Sequence, residues 1–266
     1  SDYKKNIVTT WYNINKRQQA ADGNLYDFGK VLAEKLQEEA QNHARHAFIH
    51  RVEPYYLSPT DEEKKSIAYN LAKKTDAQYV LFGEIVNFAV ETSPSSGFAF
   101  WESDQSKRNL TLSFSMYDGN SGEMVFQNTQ NISTQWDFDL HQPLESNSRR
   151  LWDSTFGTAT EKLIQTVVQS LDESVSCLPA YGRVLKVTGE SLSIYLGNHN
   201  AVKQGDELTL FQVNQFFDGQ NLSHRQFQLH PEAVIVRQVF AETSVVESIT
   251  GAPLANIQAN DFVARR

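Results

Sequence analysis

Cysteine is almost absent from this 266-residue sequence, which contains only Cys177. A single cysteine excludes an internal disulfide and every zinc site built from paired cysteines. Glycine patterns of the common enzymes are missing as well: no Gly-x-Gly pair, phosphate-binding Gly-x4-Gly-Lys-Ser/Thr loop or Gly-x-Ser-x-Gly elbow occurs. The sequence therefore predicts no nucleotide cofactor, and the usual signatures of dinucleotide-binding enzymes, P-loop enzymes and α/β-hydrolases are excluded.

Positive charge and long apolar runs are also scarce. The chain has 24 Lys and Arg against 32 Asp and Glu, a net charge of −8 that opposes a polyanion, so we expect no nucleic-acid partner. The longest apolar candidate, residues 79–90, is interrupted by Gly83, Glu84 and Asn87. Because a bilayer-spanning helix needs about 20 apolar residues, we expect a chain that does not span a membrane.

What is present is a globular composition long enough for two cores. Hydrophobic residues make up 40% of the chain, and domains usually have about 150 residues, so we expect two domains. Long helical patterns alternate with strands before Pro179, and only short strands and turns follow it. The sequence thus predicts a mixed α/β domain over residues 1–178 and a small β-barrel domain over residues 181–266.

The first domain reads as strand, helix, strand, helix, strand, hairpin, helix. Alternating Leu110, Leu112, Phe114 and Met116, followed by the turn at residues 118–122, indicate an antiparallel hairpin. Strand–helix–strand connections in one sheet are right-handed and parallel, whereas a hairpin is antiparallel. We therefore expect one mixed sheet with the helices packed against it.

Local signals set several expected boundaries. Thr60 and Glu63 fit a capping box at the start of the second helix. Phe48–Val52 reads as a strand that ends at Glu53-Pro54, because proline lacks the amide that a central strand would use. The apolar stripe from Trp152 to Val175 predicts a last helix of about 25 residues.

Five or six short strands in the last ~85 residues are too few for an immunoglobulin sandwich and suit a small closed barrel. We expect an SH3-like barrel, with an OB-like barrel as the alternative. The expected strands lie at residues 182–187, 191–196, 208–213, 233–240, 243–249 and 261–264.

Three histidines, His43, His46 and His50, would share a face if they lay on one unbroken helix, as metal ligands could. The alternative is that the helix stops before His50, in which case the three rings diverge. We favour divergence and predict no metal site, leaving weak metal binding near His43 and His46 as the other possibility.

Aromatic residues outside the periodic elements are the strongest candidates for function, because loops seldom carry large apolar rings without a place to bury them. The candidate interface residues are Phe98, Phe100, Trp101, Trp136 and Phe138. They either fold back over the sheet or form a patch that binds a partner. Phe216-Phe217, in the expected long loop of the barrel, has the same two interpretations.

Two stretches of the first domain, Ala77–Ile85 and the hairpin turn Tyr117–Glu123, resemble envelope domains of the TolB amino-terminal type. Four barrel segments are joined to them: Gly182–Val187, Ile194–Gly197, Val202–Asp206 and Asn260–Val263. In this order the chain resembles the middle and C-terminal domains of the flagellar assembly protein T family over essentially its whole length. That family has a further N-terminal domain, so we expect the sequence to be a fragment or a shortened relative.

The resemblance implies a periplasmic, non-enzymatic component of the H-ring, a collar around the basal-body rings of sodium-driven polar flagella that helps to place the stator-holding T-ring. It implies basal-body ring and T-ring proteins as partners, self-association in a ring, and neither cofactors nor catalytic residues. Two alternatives come from the residues themselves. A periplasmic ligand- or carbohydrate-binding module would need a concave aromatic pocket, and an enzyme with an unrecognised Ser-His-carboxylate triad would cluster those side chains.

Overall fold

The computed structural model describes residues 3–94, 105–220 and 223–265. The described chain forms two compact units, one over residues 7–175 and one that combines residues 3–6 with residues 176–265. The break at residue 176 lies close to the predicted boundary. Residues 3–6, however, group with the barrel, whereas the sequence interpretation assigned them to the α/β domain.

The α/β domain is built on one mixed sheet. Its strands are β1 (Lys5–Ile14), β2 (Ala47–Leu57), β3 (Tyr79–Asn87), β4 (Val90–Ser93), β5 (Gln105–Asp118) and β6 (Met124–Gln135). The order is β2-β1-β3-β5-β4, and β6 pairs with the other side of β5. β1 and β3 run parallel, and β5 is antiparallel to β3, β4 and β6. The predicted mixed sheet is confirmed.

Its helices are α1 (Phe28–His43), α2 (Asp61–Thr75), α3 (Arg149–Trp152) and α4 (Thr155–Val175). The predicted capping box is present, since the Thr60 amide donates to the Glu63 carboxylate over 2.8 Å. α4 buries an apolar stripe that includes Phe156, Leu163 and Leu171, as the periodicity predicts. The predicted single last helix is divided, however, because α3 ends at Trp152 and α4 begins at Thr155.

The predicted end of the second strand at Pro54 is wrong. β2 continues through Pro54 to Leu57. β2 lies at the end of the strand order, and an edge strand is where a sheet tolerates proline.

The second unit is a closed barrel of antiparallel strands, in agreement with the predicted fold class. The strands are β7 (Tyr181–Thr188), β8 (Ser191–Ile194), β9 (Glu207–Phe217), β10 (Ser223–Val239), β11 (Ser244–Ser248) and β12 (Phe262–Arg265), in the order β10-β11-β8-β7-β12-β9. Its core is aliphatic, with Leu192, Leu210 and Val236 fully buried. β9 and β10 are longer than predicted, and their additional residues pair with each other.

Candidate interaction surface

The extended parts of β9 and β10 form a two-stranded arm. Beyond Phe211, β9 pairs only with β10 among the described strands, because its pairing with β12 ends at the Phe211–Phe262 pair. The register then runs from Phe211 opposite Leu229 to Phe216 opposite His224. A two-stranded hairpin is marginally stable in water unless one face packs on something else. The stability of the hairpin arm, defined as residues 212–217 and 223–228, therefore depends on what its two faces contact.

One face of the arm is largely apolar, although the Gln215–Arg225 pair interrupts it. Residues directly opposite each other share a face, and so do alternate residues along a strand. By this rule five apolar residues lie on the same face: Phe211, Val213, Phe217, Phe227 and Leu229. Phe262 extends this surface onto β12, where its ring lies 6.2 Å from that of Phe227. We call the six residues the apolar strip.

Much of the apolar strip is open to solvent. Phe217 is 62% exposed, Leu229 59% and Phe227 47%. Because a large apolar side chain presents about 150–250 Å², these three contribute about 300 Å² of apolar surface. Apolar patches of a few hundred Å² are the largest that ordinary monomers expose, and they are often functional.

The opposite face of the arm is polar. It carries four amide side chains, those of Gln212, Asn214, Gln226 and Gln228. At its far end the rings of Phe216 and His224 are stacked with centroids 5.4 Å apart, and His224 Nε2 lies 2.6 Å from the Asp218 carboxylate. The arm is thus an amphipathic hairpin, and its polar face provides matched control positions.

The sequence interpretation flagged Phe216-Phe217 as loop residues but missed this arm. The signal was present, since Phe211, Val213 and Phe217 are spaced for one face of a strand, with Phe227 and Leu229 spaced likewise. The intervening Gln215 and Arg225 interrupted the apolar alternation and made the segment read as a loop.

Of the predicted interface residues, Phe98, Phe100 and Trp101 lie outside the described residues. Trp136 is only 4% exposed, and its ring lies 5.5 Å from that of Phe156 within the α/β domain. Phe138 is half-buried, 5.0 Å from Trp136, with the Arg150 guanidinium 5.5 Å from its ring. Trp136 thus fills its own domain, whereas part of Phe138 reaches the surface.

Arg108 lies beneath these aromatic residues. Its side chain is fully buried and donates hydrogen bonds to the backbone oxygens of Asp22, over 2.8 Å, and Gln19, over 3.1 Å. The guanidinium also lies 4.5 Å from the Trp136 ring. Burial lowers the pKa of Arg108 to about 9, which keeps the group charged at neutral pH. These contacts hold Trp136 in place and give Arg108 a structural role.

The histidines expected to diverge do so. His43 pairs with Glu39 at 3.1 Å, whereas His50 lies on β2 with its two ring nitrogens 3.0 Å from the Ile7 oxygen and 2.8 Å from the Thr75 oxygen. Within the described ranges, no three His, Cys, Asp or Glu side chains are placed to hold a metal ion.

The grooves of the α/β domain are mainly polar. One lies between α1 and α4 and is lined by residues such as Lys35, Glu39 and Glu161. Another, beside the start of α2, includes Asp61, Lys64 and Glu84. The groove between α1 and α4 has no aromatic residue in its lining. The groove beside α2 also includes Phe82 and Phe114, but both side chains are buried, and a third groove has Tyr26 among mainly polar residues.

Comparison with known protein families gives a match to both parts of the chain. Residues 1–146 match the family model for the middle domain of flagellar assembly protein T, and residues 189–265 match the model for its C-terminal domain. The chain belongs to the flagellar assembly protein T family. The resemblance inferred from the sequence is confirmed, and the family places the chain among flagellar assembly proteins.

No curated protein matches the sequence. Solved structures with a similar fold include a hypothetical protein of Chlamydia trachomatis, 12% identical, with 64% of this chain and 98% of that chain covered and a TM-score of 0.43. PelC of Paraburkholderia phytofirmans, crystallised as a dodecamer, is 15% identical, with 64% and 90% covered and a TM-score of 0.37. A Neisseria meningitidis lipoprotein is 11% identical, with 62% and 99% covered and a TM-score of 0.31. At these scores the similarities carry no functional inference.

Across the described residues, no helix combines the length and the apolar character needed to cross a bilayer.

Proposed function

We propose that this chain is a non-enzymatic structural subunit of the flagellar basal-body H-ring, located in the periplasm. It would act by protein–protein contacts that assemble the ring and support stator placement. Family membership supports the flagellar role. The observation that carries the contact role is the apolar strip, because an exposed face with two Phe and one Leu side chain is stabilised when a partner covers it.

The size of the strip suggests how it contributes. A stable interface buries about 800 Å² on each partner, so about 300 Å² of apolar surface would form the core of a contact completed by polar neighbours. Subunits of a closed ring use two different surfaces, one for each neighbour. We propose the apolar strip as one contact surface. Phe138, which packs on Trp136, is proposed as another. The contact role predicted for Phe98, Phe100 and Trp101 is proposed separately.

A carbohydrate-binding module fits this geometry less well. Aromatic rings that bind sugars line a concave pocket with a few converging polar groups. The apolar strip instead runs along the open face of a two-stranded arm and its neighbouring strand.

The experiment compares two triple variants in cells. The first, Phe217→Ser, Phe227→Ser and Leu229→Ser, removes the exposed apolar groups. The second, Asn214→Ser, Gln226→Ser and Gln228→Ser, alters the opposite face of the same arm. The amount of each protein in purified basal bodies is measured beside its melting temperature.

We expect the strip variant to be depleted from basal bodies at least tenfold without a loss of melting temperature, and the polar-face variant to incorporate normally. Normal incorporation of the strip variant would contradict the contact role. A large drop in its melting temperature would show instead that the strip belongs to the fold. The same comparison applies to the triple variant Phe98→Ser, Phe100→Ser and Trp101→Ser.

A further inference from the structure

The mixed sheet exposes one long strand edge that lacks the usual protection. Edge strands present unpaired backbone N–H and C=O groups, and proteins block them with proline, charge or short length. β2 follows this rule because it contains Pro54 and the charged pair Arg51 and Glu53, 3.5 Å apart. β4 is only four residues long and contains Glu91. β6 has twelve residues with no proline and no charged side chain.

The outer edge of β6 has no partner in the described parts of the chain. All of its ladder pairing is with β5, from Met124 opposite Tyr117 to Gln135 opposite Lys107. No other hydrogen bond of the described residues reaches the β6 backbone between Met124 and Gln135. α4 lies close to β6. The less exposed side chains of β6 share a face with the buried Leu112, Phe114 and Met116 of β5, and the other face carries exposed polar side chains.

Those exposed side chains are self-complementary. They are Gln127, Thr129, Asn131, Ser133 and Gln135. If two β6 strands pair antiparallel about Asn131, the amide of Asn131 meets its own copy, the hydroxyl of Thr129 meets that of Ser133, and Gln127 meets Gln135. Cross-strand Thr–Ser pairs are favourable, and like charges, which would oppose such pairing, are absent.

We propose that two copies of this chain associate through β6, pairing antiparallel about Asn131 to join their sheets into one. A strand edge with unpaired N–H and C=O groups binds another extended backbone. Because the polar side chains of β6 match those of a second β6 strand, a second copy of the chain is favoured over an unrelated strand. This pairing is independent of the apolar strip and of the proposed ring role.

The first test measures the mass of the full chain in solution by sedimentation over a range of concentrations. The wild type should shift from one chain mass to two as concentration rises. Asn131→Lys places two positive charges opposite each other and should weaken dimerisation at least tenfold. Gln165→Lys, the same charge change on the exposed side of α4, should dimerise as the wild type does. A wild type that remains monomeric, or an Asn131→Lys variant that dimerises equally well, would overturn the proposal.

The second test fixes the register by disulfide trapping in a Cys177→Ser background. Directly opposed residues have Cα atoms about 4.5–5.5 Å apart, within the ~4.4–6.8 Å range of disulfides. Asn131→Cys should therefore link to its own copy on mild oxidation. Gln127→Cys should not, since its copy lies eight residues away along the strand, about 27 Å. A mixture of Gln127→Cys and Gln135→Cys chains should link.

The trapping pattern decides the matter even if Asn131→Lys proves unstable. Linking by Asn131→Cys and by the mixture, without self-linking by Gln127→Cys, supports the pairing. Equal linking by Asn131→Cys, by Gln127→Cys and by the mixture, or no linking by any of them, would contradict the pairing.

Discussion

The guanidinium carbon of Arg108 lies 3.7 Å from the centroid of the Phe88 ring. Arg108 is fully buried and lies on the same face of β5 as the buried residues Leu110, Leu112 and Phe114. The strand therefore directs its charge into the domain. The aromatic face of Phe88 and the backbone oxygens of Asp22 and Gln19 replace the lost water. Among the described residues, the hydrogen bonds of this buried charge go to backbone oxygens.

Replacing Arg108 tests that arrangement. Arg108→Ala leaves two backbone oxygens unpaired and a cavity among aromatic rings, and we expect the free energy of unfolding to fall by about 3 kcal/mol or more. Arg108→Met keeps most of the volume and should lose about half as much. Urea denaturation measures both. Arg149→Ala, at an exposed ion pair with Asp153, is the control and should change stability little.

Asp172 on α4 holds the start of β2. Its carboxylate accepts hydrogen bonds from the amides of Arg45, His46 and Ala47 over 3.1, 2.6 and 2.8 Å. We expect Asp172→Ala to lower the free energy of unfolding by about 2 kcal/mol, because charge-assisted hydrogen bonds are strong, and Asp172→Asn by less because one acceptor remains. Gln169→Ala, on an exposed part of α4, should be neutral. A neutral Asp172→Ala would show that water replaces the carboxylate.

Tyr12 should make the α/β domain sensitive to alkali. Complete burial raises the pKa of its phenol above the usual value of about 10. Above pH 10 the unfolded chain releases this proton while the folded chain retains it, so stability is full below pH 10 and falls as pH rises. Denaturation at pH 9 and 11 should show a smaller loss for Tyr12→Phe than for the wild type. Equal losses would contradict the assignment to Tyr12.

Gly29 allows α1 to approach β1. A Cβ at this position would lie 1.7 Å from the backbone oxygen of Tyr12. Gly→Ala inside a helix normally adds up to about 1 kcal/mol of stability. Here the clash reverses the sign, and we expect Gly29→Ala to cost about 2 kcal/mol or more in thermal or urea unfolding. Gly219→Ala, where a Cβ meets open space, should have little effect. Stabilisation by Gly29→Ala would show that the close approach is absent.

Elements whose signals are local could be predicted from the sequence. The capping box of α2 and the hairpin of β5 and β6 depend on neighbouring residues, and both are confirmed. The path of β2 through Pro54 could not be predicted, because it depends on where β2 lies in the sheet. Sheet order is a long-range property that alternation along one strand does not encode.

The candidate surface was harder to predict for a similar reason. An apolar ring in an irregular stretch can be buried or exposed, and only tertiary contacts decide between the two. Trp136 is buried because Arg108 and Phe156 surround it. Phe217 and Phe227 are exposed, and among the described strands no third one pairs with the arm.

The most direct test of the central claim, that this chain works by contact through the apolar strip, is site-specific photo-crosslinking in cells. A photoreactive residue at Phe227 faces the strip, and one at Gln228 faces the opposite side of the same strand. The account predicts a discrete protein adduct from position 227 that co-purifies with basal bodies, and little from position 228. No adduct from 227, or equal adducts from both positions, would contradict it.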